Sequence, residues 1–162
     1  MSKAAVFFIG NKLMLDDGVG AAAYALMNDT FEKSPQVDMF DVGCLTMDML
    51  GMVNEYDFIL TVDAVDGTDA APGTVFRYSP KEMRRNTGAV SSLHELKLAD
   101  LFDAASLLGY ECDGYCVGVQ VSNAVPTQVC IGLTPDVQKA LPLLVEAAAA
   151  ELYRHGFELK RR

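Results

Sequence analysis

Short apolar runs alternate with segments of helical period along this chain. Residues 4–9, all apolar, read as a buried strand, and the apolar run at 21–27 reads as the helix that follows it. Val37-Asp38-Met39-Phe40-Asp41 alternates apolar with acidic like a second strand, and Phe58-Ile59-Leu60-Thr61-Val62 is a third that stops at Asp63. Between them, Thr46 caps a short helix over 46–50. Pro72-Gly73 turns into an added strand at 74–78, expected to be antiparallel, and residues 79–91 form the longest loop. Ser92-Leu93-His94-Glu95 has the form of a capping box, starting a helix that runs through Leu108 and stops at Gly109. A strand at 115–121 and a helix that opens on Thr134-Pro135 and ends before Gly156 complete the chain. This rhythm predicts an α/β fold, a three-layer α/β/α arrangement whose mostly parallel, twisted sheet of about five strands carries helices on both faces. One domain over residues 1–162 is expected.

Composition narrows the partners. An apolar content of 51% with 22% charged residues suits a soluble globular chain. A net charge of -9 speaks against nucleic acid, which needs clustered cations. The basic clusters, Lys81 with Arg84 and Arg85 and the terminal Lys160-Arg161-Arg162, read as solvated segments. No window approaches the roughly 20 apolar residues of a membrane span, and the apolar start is too short for a signal peptide, so the cytoplasm is expected; separately, a monomer is expected. Cysteines 44, 112, 116 and 130 lack metal-knuckle spacing and read as reduced, partly buried thiols.

Carboxylates gather at strand ends. Asp16-Asp17-Gly18-Val19-Gly20 follows the first strand and Asp63-Ala64-Val65-Asp66 follows the third, where ligands bind in open α/β sheets. Gly18 and Gly20 are expected to let backbone approach whatever is bound there. Asp17, Asp63 and His94 could meet at one rim as an oxygen-and-nitrogen site with open coordination positions, accepting nickel or zinc. Against this stand helix-capping aspartates, a role for which Asp16 is the natural candidate, and a structural histidine. His155 has a bland reading at a helix carboxyl end. The run 18–23 also satisfies Gly-x-Gly-x-x-Ala with Asp41 downstream, but Asp16 and Asp17 would repel a pyrophosphate. An aspartic dyad of Asp17 and Asp63 is conceivable and would favour acid.

The motif Gly10-Asn11-Lys12-Leu13-Met14-Leu15-Asp16-Asp17-Gly18-Val19-Gly20 resembles the opening signature of the nickel-iron hydrogenase maturation endopeptidases. Val62-Asp63-Ala64-Val65-Asp66 with Ala71-Pro72-Gly73-Thr74 resembles the family's second motif, and Ser91-Ser92-Leu93-His94-Glu95 its third. Val117-Gly118-Val119-Gln120 and Ile131-Gly132-Leu133-Thr134-Pro135 resemble its closing strand and helix start, in the same order. The resemblance implies an aspartyl-type endopeptidase that removes the carboxyl-terminal extension of the hydrogenase large-subunit precursor after nickel insertion. It implies that Asp17, Asp63 and His94 bind the metal, that Asp17 and Asp63 serve catalysis, and that Ni2+ arrives with the substrate, with no permanently bound cofactor. The alternative is a nickel-checking chaperone of the large subunit that does not cut. Asp41-Val42-Gly43-Cys44 departs from the family's Asp-x-Gly-Thr, and Cys44 could compete as a soft ligand.

Overall fold

The computed structural model describes residues 2–10, 15–65, 68–85, 97–121 and 132–162; His94, Asp66, Cys130 and the capping box at 92–95 lie outside them. The strands are β1 (Ala4–Ile9), β2 (Val37–Gly43), β3 (Phe58–Val65), β4 (Val75–Tyr78) and β5 (Asp113–Gln120). The helices are α1 (Val19–Thr30), α2 (Leu50–Glu55), α3 (Pro80–Arg85), α4 (Leu98–Leu107) and α5 (Pro135–Arg154).

β1 is apolar without alternation because both of its faces are covered. Ala4, Val6 and Phe8 point into one core with Val19, Ala23 and Met27 of α1 and Leu144, Ala148 and Leu152 of α5. Ala5, Phe7 and Ile9 point the other way, onto Val53 of α2 and Leu98, Leu101 and Ala105 of α4. The period-2 alternation of strand side chains thus builds a three-layer α/β/α fold. Each fully buried phenylalanine contributes about 1.5–3 kcal/mol.

The sheet order is β2-β1-β3-β5-β4, with β4 antiparallel to β5 and the other pairs parallel. From β1 the chain crosses to β2 on one side and then to β3 on the other. That reversal opens a crevice at the carboxyl ends of β1 and β3, the usual ligand position in such sheets. β3 does not stop at Asp63: it continues to Val65, because Asp63, Ala64 and Val65 pair with Gly118, Val119 and Gln120 of β5.

Three other expectations are corrected. Residues 80–85, read as loop, form α3, started by a capping box in which Glu82 N–H donates to Ser79 Oγ (3.3 Å) and Ser79 N–H to Glu82 Oε2 (3.3 Å), with Pro80 in the first turn. The helix expected through Leu108 does not include Lys97, which is extended (φ -97°, ψ 157°) and donates its N–H to Asp100 Oδ2 at 3.0 Å, so α4 begins at Leu98. Thr46 is extended at the start of the 3-10 turn Met47–Met49, but its side chain makes no capping bond.

The chain's end is not a free basic tail. Arg161 pairs with Glu146 (2.5 Å) and lies over the Phe31 ring, and Glu32 N–H donates to Lys160 O (2.7 Å). On α5, fully buried Glu151 accepts from Arg77 of β4 (Nε 2.8 Å, Nη2 3.0 Å) and from Arg154 (2.8 Å), which ties the edge strand to the helix. Burial alone would raise the Glu151 pKa, but the hydrogen bonds and charges of both arginines outweigh it and hold the carboxyl below its ordinary value. A carboxyl depressed in the folded state contributes stability above its unfolded pKa of about 4.3 and loses it as pH falls through the folded value. Melting temperature is therefore expected to fall on acidification below about pH 4. Glu151→Gln should melt lower at neutral pH yet decline less steeply in acid; parallel curves would show that this cluster contributes nothing to acid lability.

Candidate active site at the carboxyl rim of the sheet

Asp16 and Asp17 lie on a 3-10 turn, Leu15–Gly18, that runs directly into α1. The chain doubles back tightly: a Cβ at Gly10 (φ 131°) would stand 1.8 Å from the Asp17 carbonyl oxygen, so only glycine fits. Gly20 faces inward rather than toward a ligand, since its Cβ would meet Ile9 O at 2.1 Å; it lets α1 settle on β1. Asp17 is half-buried in this turn, which packs against β3.

Asp63 is half-buried near the end of β3, and its Oδ1 accepts the Ala64 N–H at 2.7 Å. Because β1 and β3 pair with Phe8 opposite Val62, Asp63 comes level with the last residue of β1. The two aspartates predicted from sequence therefore share one rim. Its wall on the β5 side is Gly118, opposite Asp63, where a Cβ would stand 3.4 Å from Tyr78 Oη. Burial first, then Cys116 and Asp63, raises the Tyr78 phenol well above its ordinary pKa, so it stays protonated.

The third predicted residue, His94, lies outside the described residues. Lys97 opens α4, and α4 descends to β5, which starts at Asp113 opposite Phe58 at the amino end of β3. The first turn of α4 thus faces the carboxyl rim. Among the described residues no group of three or more His, Cys, Asp or Glu is arranged to hold a metal.

Asp16 is fully buried, and its carboxylate accepts from Thr134 twice, from the backbone N–H (2.8 Å) and from Oγ1 (2.8 Å). Its role is at a helix start, as expected of a capping aspartate, but the helix is α5 rather than its own. His155 sits at the far end of α5, stacked on Phe58 (4.0 Å between centroids) with Nδ1 2.9 Å from Glu151 O, in keeping with its bland reading. Cys116 is buried and Cys112 half-buried, and burial pushes both thiols up to about 12; Cys44, by contrast, is exposed where β2 ends. The Gly-x-Gly-x-x-Ala run does not form a phosphate cradle, because the strand-to-helix turn carries two carboxylates and Gly20 is closed off by Ile9.

A family model described as hydrogenase maturation protease (HycI) matches residues 22–151. The chain belongs to the hydrogenase maturation protease family. It is 28% identical to the hydrogenase 2 maturation protease of Escherichia coli (strain K12), over 94% of this chain and 92% of that one. It is 32% identical to the hydrogenase expression/formation protein HupD of Rhizobium leguminosarum bv. viciae, over 97% of this chain and 77% of that one. Among solved structures it resembles the hydrogenase maturating endopeptidase HybD from E. coli, with a TM-score of 0.81, 26% identity, and coverage of 99% of this chain and 98% of that one. Its activity class is that of the family, a peptidase. The family match spans Asp63 and His94 and begins after Asp17.

Proposed function

We propose that this chain is an endopeptidase that removes the carboxyl-terminal extension of a nickel-iron hydrogenase large-subunit precursor once nickel has been inserted. Asp17, Asp63 and His94 read the metal. The observation that carries this reading is the pairing of β1 with β3, which sets the Asp17 turn beside Asp63 at the crevice where the sheet order reverses. His94 precedes the first residues of α4 by a few positions, and that turn opens on the same rim.

The donor chemistry fits the cargo. Two carboxylates and an imidazole are borderline-to-hard ligands that suit nickel or zinc and leave positions open for a substrate group. Such a site gains affinity only when the precursor presents its metal, so cleavage becomes conditional on metal loading; no resident cofactor is required. On one route the bound metal polarises the scissile carbonyl and activates water. On the other it positions the peptide, and Asp17 or Asp63 takes the proton from the attacking water. The chain acts as one cytoplasmic, monomeric domain, with the precursor as its partner.

Intact mass spectrometry of a nickel-loaded precursor, with and without this protein, tests the reading. The expected result is nickel-dependent loss of a carboxyl-terminal peptide, missing with His94→Ala. Tight binding with no change in mass would overturn it in favour of a nickel-checking chaperone that does not cut.

A further inference from the structure

We propose that Asp16 is the positioning residue for Asp17, with Thr134 as its anchor, so that the start of α5 sets the geometry of the rim. This rests on the assignment of Asp17 to the site. Asp16 has 0% of its surface exposed, and both of its oxygens are engaged by one residue 118 positions away in the chain, at 2.8 Å each. A buried carboxylate is retained only where such bonds replace water, and both bonds here are charge-assisted.

Thr134 does not cap its own helix with its side chain. It stands at the N-cap of α5, where a threonine hydroxyl ordinarily accepts a backbone N–H of its own helix, worth about 1 kcal/mol. In this chain it makes no such bond; its hydroxyl donates to Asp16 instead. The amino end of α5 also places its partial positive charge toward the carboxylate.

The consequence falls on the neighbouring residue. Asp17 is fixed from one side by the close approach of Gly10 to its carbonyl, and from the other by the Asp16 side chain that precedes it. The first turn of α5 also meets the turn that leads into β4: a Cβ at Gly73 would lie 2.8 Å from Asp136 O, and Gly73 N–H donates to Gln120 O at 2.8 Å. One helix start therefore touches both the Asp17 turn and the entry to β4. Groups that hold a metal-binding carboxylate in place typically cost 10- to 100-fold in activity when removed.

The test compares Thr134→Val, Thr134→Ser and Asp16→Asn in cleavage of the nickel-loaded precursor, alongside their melting curves and backbone amide NMR spectra. The expected result is a kcat reduced about 10- to 100-fold in Thr134→Val and Asp16→Asn, with KM unchanged and Thr134→Ser close to wild type. The double variant should be no worse than the poorer single one. A wild-type kcat in Thr134→Val, or a loss equal in Thr134→Ser, would overturn the proposal. If the wild-type protein cleaves nothing, the functional reading fails and the amide signals decide. Displacement of residues 15–18 in Thr134→Val but not in Thr134→Ser upholds positioning, and unchanged signals refute it.

Discussion

Asp63→Asn is expected to abolish release of the precursor's carboxyl-terminal peptide while leaving the protein folded. The side chain is half-buried at the rim, and the bond from the Ala64 N–H to Oδ1 can be kept by the amide oxygen of asparagine. Asparagine has the same shape as aspartate, so the fold should survive the substitution, with a cooperative melt as its readout. What it removes is the negative charge. If Asp63 is a metal ligand, asparagine is a much weaker donor for a divalent ion; if Asp63 is the base, asparagine cannot accept the proton. A loss on the order of a thousandfold is the scale for either role. A time course of precursor mass, run beside thermal melts, measures both quantities together. Normal processing by a well-folded Asp63→Asn protein would remove Asp63 from both routes and leave Asp17 as the sole described carboxylate proposed for the chemistry.

Much of the sheet was legible because its signals are local. A six-residue apolar run flanked by polar residues has few alternatives to a buried parallel strand, and β1 follows it residue for residue. The second strand and the antiparallel β4 were equally plain, since acidic alternation and a Pro-Gly turn are short-range features. The end of β3 was not, because Asp63 interrupts the apolar run and looks like a boundary. Its pairing with Gly118 is a long-range fact that no window around residue 63 contains. α3 was missed for another reason: residues 79–91 read as one long loop, although Ser79-Pro80-Lys81-Glu82 holds a capping box with proline at the first helical position.

The site divides in the same way. Asp17 and Asp63 could be placed on a common rim from strand order and crossover handedness alone. The partner of Asp16 could not: the residue that satisfies it lies on the last helix, and the motif that carries Thr134 looks from sequence like an ordinary cap followed by proline. Gly20 misled for a related reason. A glycine beside candidate ligands invites a ligand-facing reading, yet its missing side chain makes room for the protein's own backbone.

Gly20 accordingly carries the largest expected effect on stability. A methyl group there would lie 2.1 Å from Ile9 O, 2.7 Å from Ile9 N and 2.8 Å from Ile9 C, all backbone atoms of a strand buried on both faces. Backbone in the centre of a sheet cannot step aside as a flexible side chain can, so α1 must lift. Lifting it parts Val19, Ala23 and Met27 from Ala4, Val6 and Phe8. Gly20→Ala should cost about 3 kcal/mol, the upper range of overpacking, and lower the melting temperature by roughly 6–12 °C for a chain of this size. Because α1 follows the Asp17 turn without a break, processing should weaken as well. Gly51→Ala is the control. It sits in α2 with nothing within 4 Å of the added methyl, so it should raise stability by about 0.4–1 kcal/mol through the lost flexibility of the unfolded chain. The two substitutions are chemically identical and both lie in helices, so opposite signs isolate the packing of α1 on β1. Equal melting temperatures for the two variants would contradict that close contact and, with it, the path by which α1 holds the Asp17 turn against the sheet.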